Sequence, residues 1–295
     1  MTPTGSSARD LLRWGTSLLA DAGVASARHD AEALLLHASG LERARLLTLG
    51  AGDKVPGEAA YRELVAERSS RVPLQHLTGR AWFRHLELAV GPGVFVPRPE
   101  TEVVAQEAVD EALRLVRDGG RPVVVDLGTG SGAIAAAVAT EAPGARVLAV
   151  EKGPDAHAWA ARNVEGTGVE LRLGDLADAF ADLDGEVDVV VSNPPYIPPD
   201  AAPIDPEVRD HDPELALYGG GEDGLDALRA VERTARRLLR PGGLLVIEHA
   251  DSQGESAPAV LRATAAWRDV TDLPDLTGRP RYVRARRAEQ PGSER

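Results

Sequence analysis

The sequence has 295 residues, with 33 basic against 46 acidic side chains, a formal charge of −13 and 43% hydrophobic content. That length suits one α/β domain with a smaller appended domain, and the negative charge disfavours free DNA or RNA as a partner, because a polyanion is repelled unless basic residues cluster. Zero cysteines exclude disulfides, thiolate zinc sites, iron–sulfur clusters and cysteine-nucleophile mechanisms, and the histidines lack metal-ligand spacing.

Met1 to Trp14 is polar and small, without an apolar core of signal-peptide length, and no apolar run nears the roughly 18 residues of a membrane span. A cytoplasmic protein, not associated with membranes, is expected. From Ser6 to Ser70 the apolar residues fall at helical spacing: Leu11, Leu18 and Ala22, then Leu34, Leu35 and Ala38 ahead of Gly40, then Tyr61, Leu64 and Val65. This predicts a helical bundle over residues 1–78, with no titratable cluster between Pro56 and Pro73, and hence recognition rather than catalysis. Leu86, Leu88 and Val90 alternate with polar residues, Gly91-Pro92-Gly93 supplies a turn and Val94-Phe95-Val96 follows, so a β-hairpin linker is expected over 79–99. Pro97 and Pro99 then lead into a helix from about Glu100 to Val116, with Val104, Ala108 and Leu115 inward.

Beyond it, short continuous apolar runs at Val123–Val125, Val147–Val150, Val187–Val191 and Leu244–Ile247 alternate with helical stretches. Runs of that kind are strands covered on both faces, which gives a mainly parallel, doubly wound α/β sheet over residues 100–287. Trp267–Leu273 and Arg281–Arg286 read as two further strands with no helix between them, an antiparallel edge pair, and 288–295 as a disordered tail.

Asp126-Leu127-Gly128-Thr129-Gly130-Ser131-Gly132 sits where the first buried strand turns into a helix, and glycines there let backbone approach a nucleoside closely. The third glycine follows the second by two residues rather than three, so the dinucleotide fingerprint is not met, and no phosphate-binding G-x-x-x-x-G-K-[ST] loop occurs. A nicotinamide-dependent oxidoreductase is thereby disfavoured. Glu151 closes the second strand 151 − 128 = 23 residues after Gly128, near the offset at which a carboxylate meets ribose hydroxyls. The densest signal is Asn193-Pro194-Pro195-Tyr196, directly after a buried strand. Prolines have no N–H to compete for the Pro194 carbonyl, so that carbonyl and the Asn193 amide oxygen can accept both hydrogens of one –NH2, while Tyr196 offers a flat face for an amide or base.

Together the glycine loop, Glu151 and the 193–196 tetrapeptide resemble a class I methyltransferase acting on conjugated amino groups, either glutamine amides or adenine exocyclic amines. More narrowly, Pro73-Leu74-Gln75-His76-Leu77-Thr78-Gly79, Pro97-Arg98-Pro99-Glu100-Thr101-Glu102, Gly219 to Leu225 and Pro241-Gly242-Gly243 resemble the PrmC/HemK family of release factor glutamine methyltransferases. The likeness runs from about Leu11 to Val283. It implies a Rossmann-like, seven-stranded sheet with a helical N-terminal domain that recognises the substrate protein, and a monomer that methylates a glutamine amide in peptide chain release factors. It further implies that Asp126, Gly128, Thr129, Gly130, Ser131, Gly132, Glu151, Asp175, Leu176 and Asn193 bind S-adenosylmethionine, which leaves as S-adenosylhomocysteine, while Asn193, Pro194, Pro195 and Tyr196 hold the amide. Glu151 stands where the family more often has Asp, and Leu176 where an aromatic is frequent. Glu100 and Glu102 fit either a helix N-terminus or an active site. The alternatives are an adenine-amino methyltransferase acting on DNA or RNA and a non-catalytic nucleoside-binding protein.

Overall fold

A computed structural model of the chain describes residues 6–50, 53–203 and 205–289; the expected tail beyond 289 lies outside the described residues. The chain forms two compact units, one of residues 1–80 with 204–211, the other of residues 81–203 with 212–295.

The first unit is helical: Ala8–Asp21, Ala27–Ser39, Arg43–Leu47, Glu58–Ser69, Leu74–Thr78 and the short Pro206–His211. The Ser7 hydroxyl accepts the Asp10 N–H to start the first helix, and a left-handed Gly40 ends the second. Leu11, Leu19, Ala31, Leu34, Leu35, Tyr61 and Val65 are buried completely, so Leu19 rather than the expected Leu18 forms the inner stripe. A charge cluster lies beside this core. The Arg68 guanidinium, 4% exposed, donates Nε to Asp30 at 2.7 Å, one Nη to Glu207 at 2.7 Å and the other to the Val72 carbonyl at 3.1 Å. Arg71 also meets Glu207, at 2.9 Å.

The second unit holds a two-stranded hairpin, β1 (Arg80–Phe83) with β2 (Leu86–Ala89), and a seven-stranded sheet. The hairpin turns at Arg84-His85, with Arg84 at φ 55°, not at Gly91–Gly93 as the alternation suggested. Val94 and Val96 are instead buried in irregular chain with Ala81, Val90 and Ala156. The sheet contains β3 (Val123–Leu127), β4 (Arg146–Glu151), β5 (Glu170–Leu173), β6 (Val187–Ser192), β7 (Leu239–Glu248), β8 (Trp267–Pro274) and β9 (Pro280–Arg287). Its order is β5-β4-β3-β6-β7-β9-β8, parallel except for β9, which runs antiparallel to β7 and to β8.

Strand periodicity divides the apolar residues between two layers. Val125, Leu127, Val190, Leu245 and Ile247 face one layer with Leu228, Val231, Ala235 and Leu238 of helix Asp226–Leu238. Val124, Val189, Val191, Leu244 and Val246 face the other with helices Glu102–Arg117 and Ala133–Glu141. Each such side chain contributes roughly 1.5–3 kcal/mol when buried, which explains why these runs form central strands despite carrying no polar alternation. The first of those helices presents Val104, Ala105, Ala108, Val109 and Ala112 to the core, whereas Leu115 is half-buried. A 3-10 turn, Pro99–Thr101, precedes it.

Candidate active site

Strand order reverses between β3, whose neighbours are β4 and β6, so the loops after β3 and β6 open at one crevice beyond the carboxyl ends. The glycine loop follows β3 and the Asn193–Tyr196 tetrapeptide follows β6. Their strand ends are tied directly, since the Ser192 hydroxyl donates to the Leu127 carbonyl at 2.6 Å.

The glycine loop is fastened to β4. The Gly128 and Thr129 N–H groups both donate to the Val150 carbonyl at 3.0 Å, and Gly130 N–H donates to Glu151 Oε2 at 2.8 Å. Gly153 N–H occupies Glu151 Oε1 at 2.7 Å. Glu151 is thus oriented at both oxygens, and a carboxylate retains further lone pairs for hydroxyl donors. A side chain added at Gly130 would meet nothing within 4 Å, so the loop faces open space there. Ser131 is buried, its carbonyl accepting from Asn163 at 2.9 Å, and a Cβ at Gly132 would press on Val164 at 3.1 Å.

Asp126 lies under the loop without exposure. Its Oδ2 accepts from the Thr129 hydroxyl at 2.5 Å and from Ala135 N–H at 3.2 Å, while Oδ1 has no partner. Burial, aided by the Glu151 charge, pushes its carboxyl up to about 7 against those two donors. Asp175, past β5, accepts from Ala177 N–H and pairs with Lys152, each at 2.9 Å, which holds its carboxyl below the ordinary range. Leu176 is half-buried beside Gly128, its Cδ2 3.5 Å from where a Cβ there would stand. The donor set suits S-adenosylmethionine: carboxylates at the ends of β3, β4 and β5 match a ribose diol and cationic groups, and the unpartnered Asp126 oxygen has acceptor capacity to spare.

The tetrapeptide is braced from three sides. Tyr196 and Ile197 N–H groups donate to the Leu217 carbonyl at 3.2 and 2.8 Å, and Gly219 N–H returns to the Ile197 carbonyl at 3.0 Å. Gln253 Nε2 donates to the carbonyls of both Tyr196 and Asp223 at 3.1 Å. Asn193 Nδ2 donates to the Thr101 hydroxyl at 3.1 Å. Among the described residues no protein donor takes the Pro194 carbonyl or Asn193 Oδ1, so both oxygens stand as acceptors. Burial raises the Tyr196 phenol well above its ordinary range, keeping the ring neutral.

Thr101, Glu248 and Gln253 join this site without having been singled out in the sequence. Thr101 enters the sequence reading only as part of the Pro97–Glu102 stretch, between two glutamates that fit either a helix N-terminus or an active site. Glu248, an acid at the carboxyl end of an apolar strand, carried a signal of the same kind as Glu151. Gln253 carried none.

Residues 10–79 match the PrmC N-terminal domain model and residues 98–203 the methyltransferase small domain model. A protein of Streptomyces coelicolor described as release factor glutamine methyltransferase is 57% identical, over 92% of this chain and 95% of its own. A protein of Streptomyces pristinaespiralis described as a 4-amino-L-phenylalanine/4-methylamino-L-phenylalanine methyltransferase is 42% identical, over 93% and 94%. Among solved structures the hMettl16 catalytic domain aligns at TM-score 0.51 and 15% identity, over 77% of this chain and 82% of that one, a likeness of fold alone. Sequence, sheet order and crevice agree: the chain belongs to the release factor glutamine methyltransferase family, the PrmC/HemK proteins.

Proposed function

We infer that this chain is an S-adenosylmethionine-dependent methyltransferase that modifies the side-chain amide nitrogen of the glutamine in the Gly-Gly-Gln motif of peptide chain release factors. The observation that carries this reading is the pair of acceptors without a protein donor among the described residues, Asn193 Oδ1 and the Pro194 carbonyl, directly after β6, whose end is tied to β3 ahead of the glycine loop. Asp126, the 128–132 loop, Glu151, Asp175 and Leu176 hold the cofactor, with Glu151 toward the ribose and Leu176 toward the adenine. When bound, the cofactor supplies an electrophilic methyl carbon on a sulfonium sulfur, which an aligned nitrogen displaces in line.

An amide nitrogen is a poor nucleophile because its lone pair is delocalised. Two acceptors on its hydrogens fix its direction and return electron density to it, and alignment alone can be worth roughly 10⁵ M in effective concentration. Tyr196, neutral and backed by Gln253, supplies a flat wall for the amide plane. Once methylated, the nitrogen sheds a proton through the carbonyl it already touches or to water, so no separate base is required. The helical unit serves substrate-protein recognition, and the net charge of −13 favours a protein acceptor over free nucleic acid. We read the protein as a monomer working in the cytoplasm; among the described residues no helix is long and apolar enough to cross a membrane.

A second reading has one specific observation behind it, the 42% identity to a protein named for an aryl-amine substrate, since an aromatic –NH2 fits the same acceptor pair. Incubation with methyl-labelled cofactor and release factor, the free aryl amine or nucleic acid separates the readings. Mass spectrometry is expected to find the label on the Gly-Gly-Gln glutamine. Label on the small amine or on adenine alone would overturn the assignment. Asn193→Ala is expected to bind cofactor within about twofold of wild type, measured by calorimetry, yet lose turnover by roughly 100-fold or more.

A further inference from the structure

The peptide unit that carries the Pro194 carbonyl has no N–H of its own, because its nitrogen belongs to Pro195. No hydrogen bond from that unit can anchor it. The direction of the carbonyl is therefore set by what grips the chain on either side, and the nearest grip on the C-terminal side is at Tyr196. There the N–H donates to the Leu217 carbonyl at 3.2 Å and the carbonyl accepts from Gln253 at 3.1 Å.

Gln253 reaches Tyr196 from beyond the end of β7. It closes the 3-10 turn Asp251–Gln253, is 5% exposed, and its own N–H donates to the Ala250 carbonyl at 2.8 Å. Its side-chain amide is engaged at both ends. The Ala250 N–H, which can only donate, meets Oε1 at 3.0 Å, so the oxygen must lie on that side and the –NH2 on the other. That –NH2 has two hydrogens, and two carbonyls receive them, those of Tyr196 and Asp223, each at 3.1 Å. Asp223 belongs to the Gly219–Leu225 loop, where a Cβ at Gly219 would stand 2.7 Å from the Pro195 carbonyl oxygen. The loop held by Gln253 thus lies against the same stretch of tetrapeptide.

We propose that Gln253 is a positioning residue: by clamping Tyr196 to the Gly219–Leu225 loop, it aims the Pro194 carbonyl at the substrate amide. The proposal rests on the glutamine-methylation reading above. A side chain that merely filled space would need only its shape, whereas this role needs hydrogen-bond donors on an uncharged group.

Two variants separate shape from donation. Gln253→Met keeps the length and removes the donors. Gln253→Glu keeps the length and, when ionised, turns lone pairs toward both carbonyls; when protonated it regains one O–H donor while its other oxygen still accepts the Ala250 N–H. Burial against two carbonyls favours that protonated form, so the activity of Gln253→Glu relative to wild type is expected to rise as pH falls. Each protein is assayed with release factor and methyl-labelled cofactor between about pH 6 and about pH 8.5, with kcat expressed per folded molecule and cofactor Kd measured by calorimetry. The methionine variant is expected to lose about tenfold or more in kcat at every pH, with cofactor Kd within about twofold of wild type. The glutamate variant is expected to lose at least as much at the alkaline end and to recover several-fold toward the acid end, and titrations common to all three proteins cancel in the ratio. Wild-type kcat per folded molecule in Gln253→Met overturns the proposal. So does a glutamate-to-wild-type ratio that stays level with pH, or a cofactor Kd that weakens in step with kcat. If Gln253→Met does not fold, the pH profile of Gln253→Glu decides alone. Wild-type protein that labels no release factor strikes down the functional reading and this proposal together, an outcome distinct from active wild type with fully active variants.

Discussion

Glu248 carries a penalty that can be weighed apart from catalysis. Burial, with the charges of Glu100 and Asp275 adding to it, pushes its carboxyl from an ordinary 4.5 up to about 7, while the Thr101 hydroxyl and Arg281 oppose the shift. The neighbouring Tyr196 phenol is neutral throughout this range. Because the folded value lies above the unfolded one, the folded state binds the proton more tightly, so stability declines as pH rises from about 4.5 to about 7 and stays low above that. Glu248→Gln removes the cost. The variant is expected to be more stable than wild type by roughly 1–3 kcal/mol near pH 8, with most of that gain gone by about pH 5. Urea midpoints at the two pH values measure it, and an equal gain at both would contradict the assigned cause. Asp126 titrates in the same direction but is common to both proteins and cancels. None of this was legible in the sequence, where Glu248 is simply an acid after Leu244-Leu245-Val246-Ile247; the cost arises from the carboxyl edge of the sheet closing over it.

Among elements, the central strands were legible because valine runs buried on two faces have no other stable place in a chain of this kind. The edge pair β8–β9 followed from two strand-like runs without a helix between them. The hairpin was half legible: Leu86 and Leu88 lie in β2 as alternation required, but its partner β1 precedes it across a turn at Arg84, a residue without the glycine or asparagine signature of left-handed turns. Val94-Phe95-Val96 mimicked a strand because two of its side chains fill the Ala81–Ala156 cluster. The Gly219–Leu225 loop was recognised by resemblance, yet its purpose is steric. A Cβ at Gly224, φ 73°, would stand 2.4 Å from the Tyr196 carbonyl and 2.9 Å from Pro198 N, so the loop backs directly onto the tetrapeptide. Gly224→Ala is expected to displace that backbone, losing about 1–2 kcal/mol to the left-handed conformation alone and most of kcat. Gly130→Ala bears the same left-handed cost, φ 57°, but has open space around it, so it should lose less stability than Gly224→Ala and weaken cofactor binding more. Calorimetric Kd and urea midpoints on both variants compare the two, and the opposite pairing of defects would refute the contrast.

At the scale of the whole molecule, the feature beyond reach of sequence reading is residues 204–211, which belong with the helical unit although they follow the tetrapeptide. No periodicity announces it, since the attachment is made by ion pairs from distant positions: Glu207 to Arg68 at 2.7 Å and to Arg71 at 2.9 Å. Arg68→Met would leave Asp30, itself 2% exposed, as a buried charge without its guanidinium, a change of about 3 kcal/mol or more. A lower unfolding midpoint and a higher KM for release factor are expected, with cofactor Kd unchanged because every proposed cofactor group lies in the other unit. Wild-type stability and KM in that variant would show the cluster to be idle.

The same excursion governs how the polypeptide can be dismantled. The backbone leaves the helical unit at 80–81, rejoins it at 203–204 and departs again at 211–212. A protease nick at the first crossing therefore frees residues 1–80 but leaves 204–211 on the larger fragment, and liberating every residue of the helical unit takes three cuts. A gene truncated after residue 80 would likewise encode a bundle missing Glu207, one of the two acids paired with Arg68.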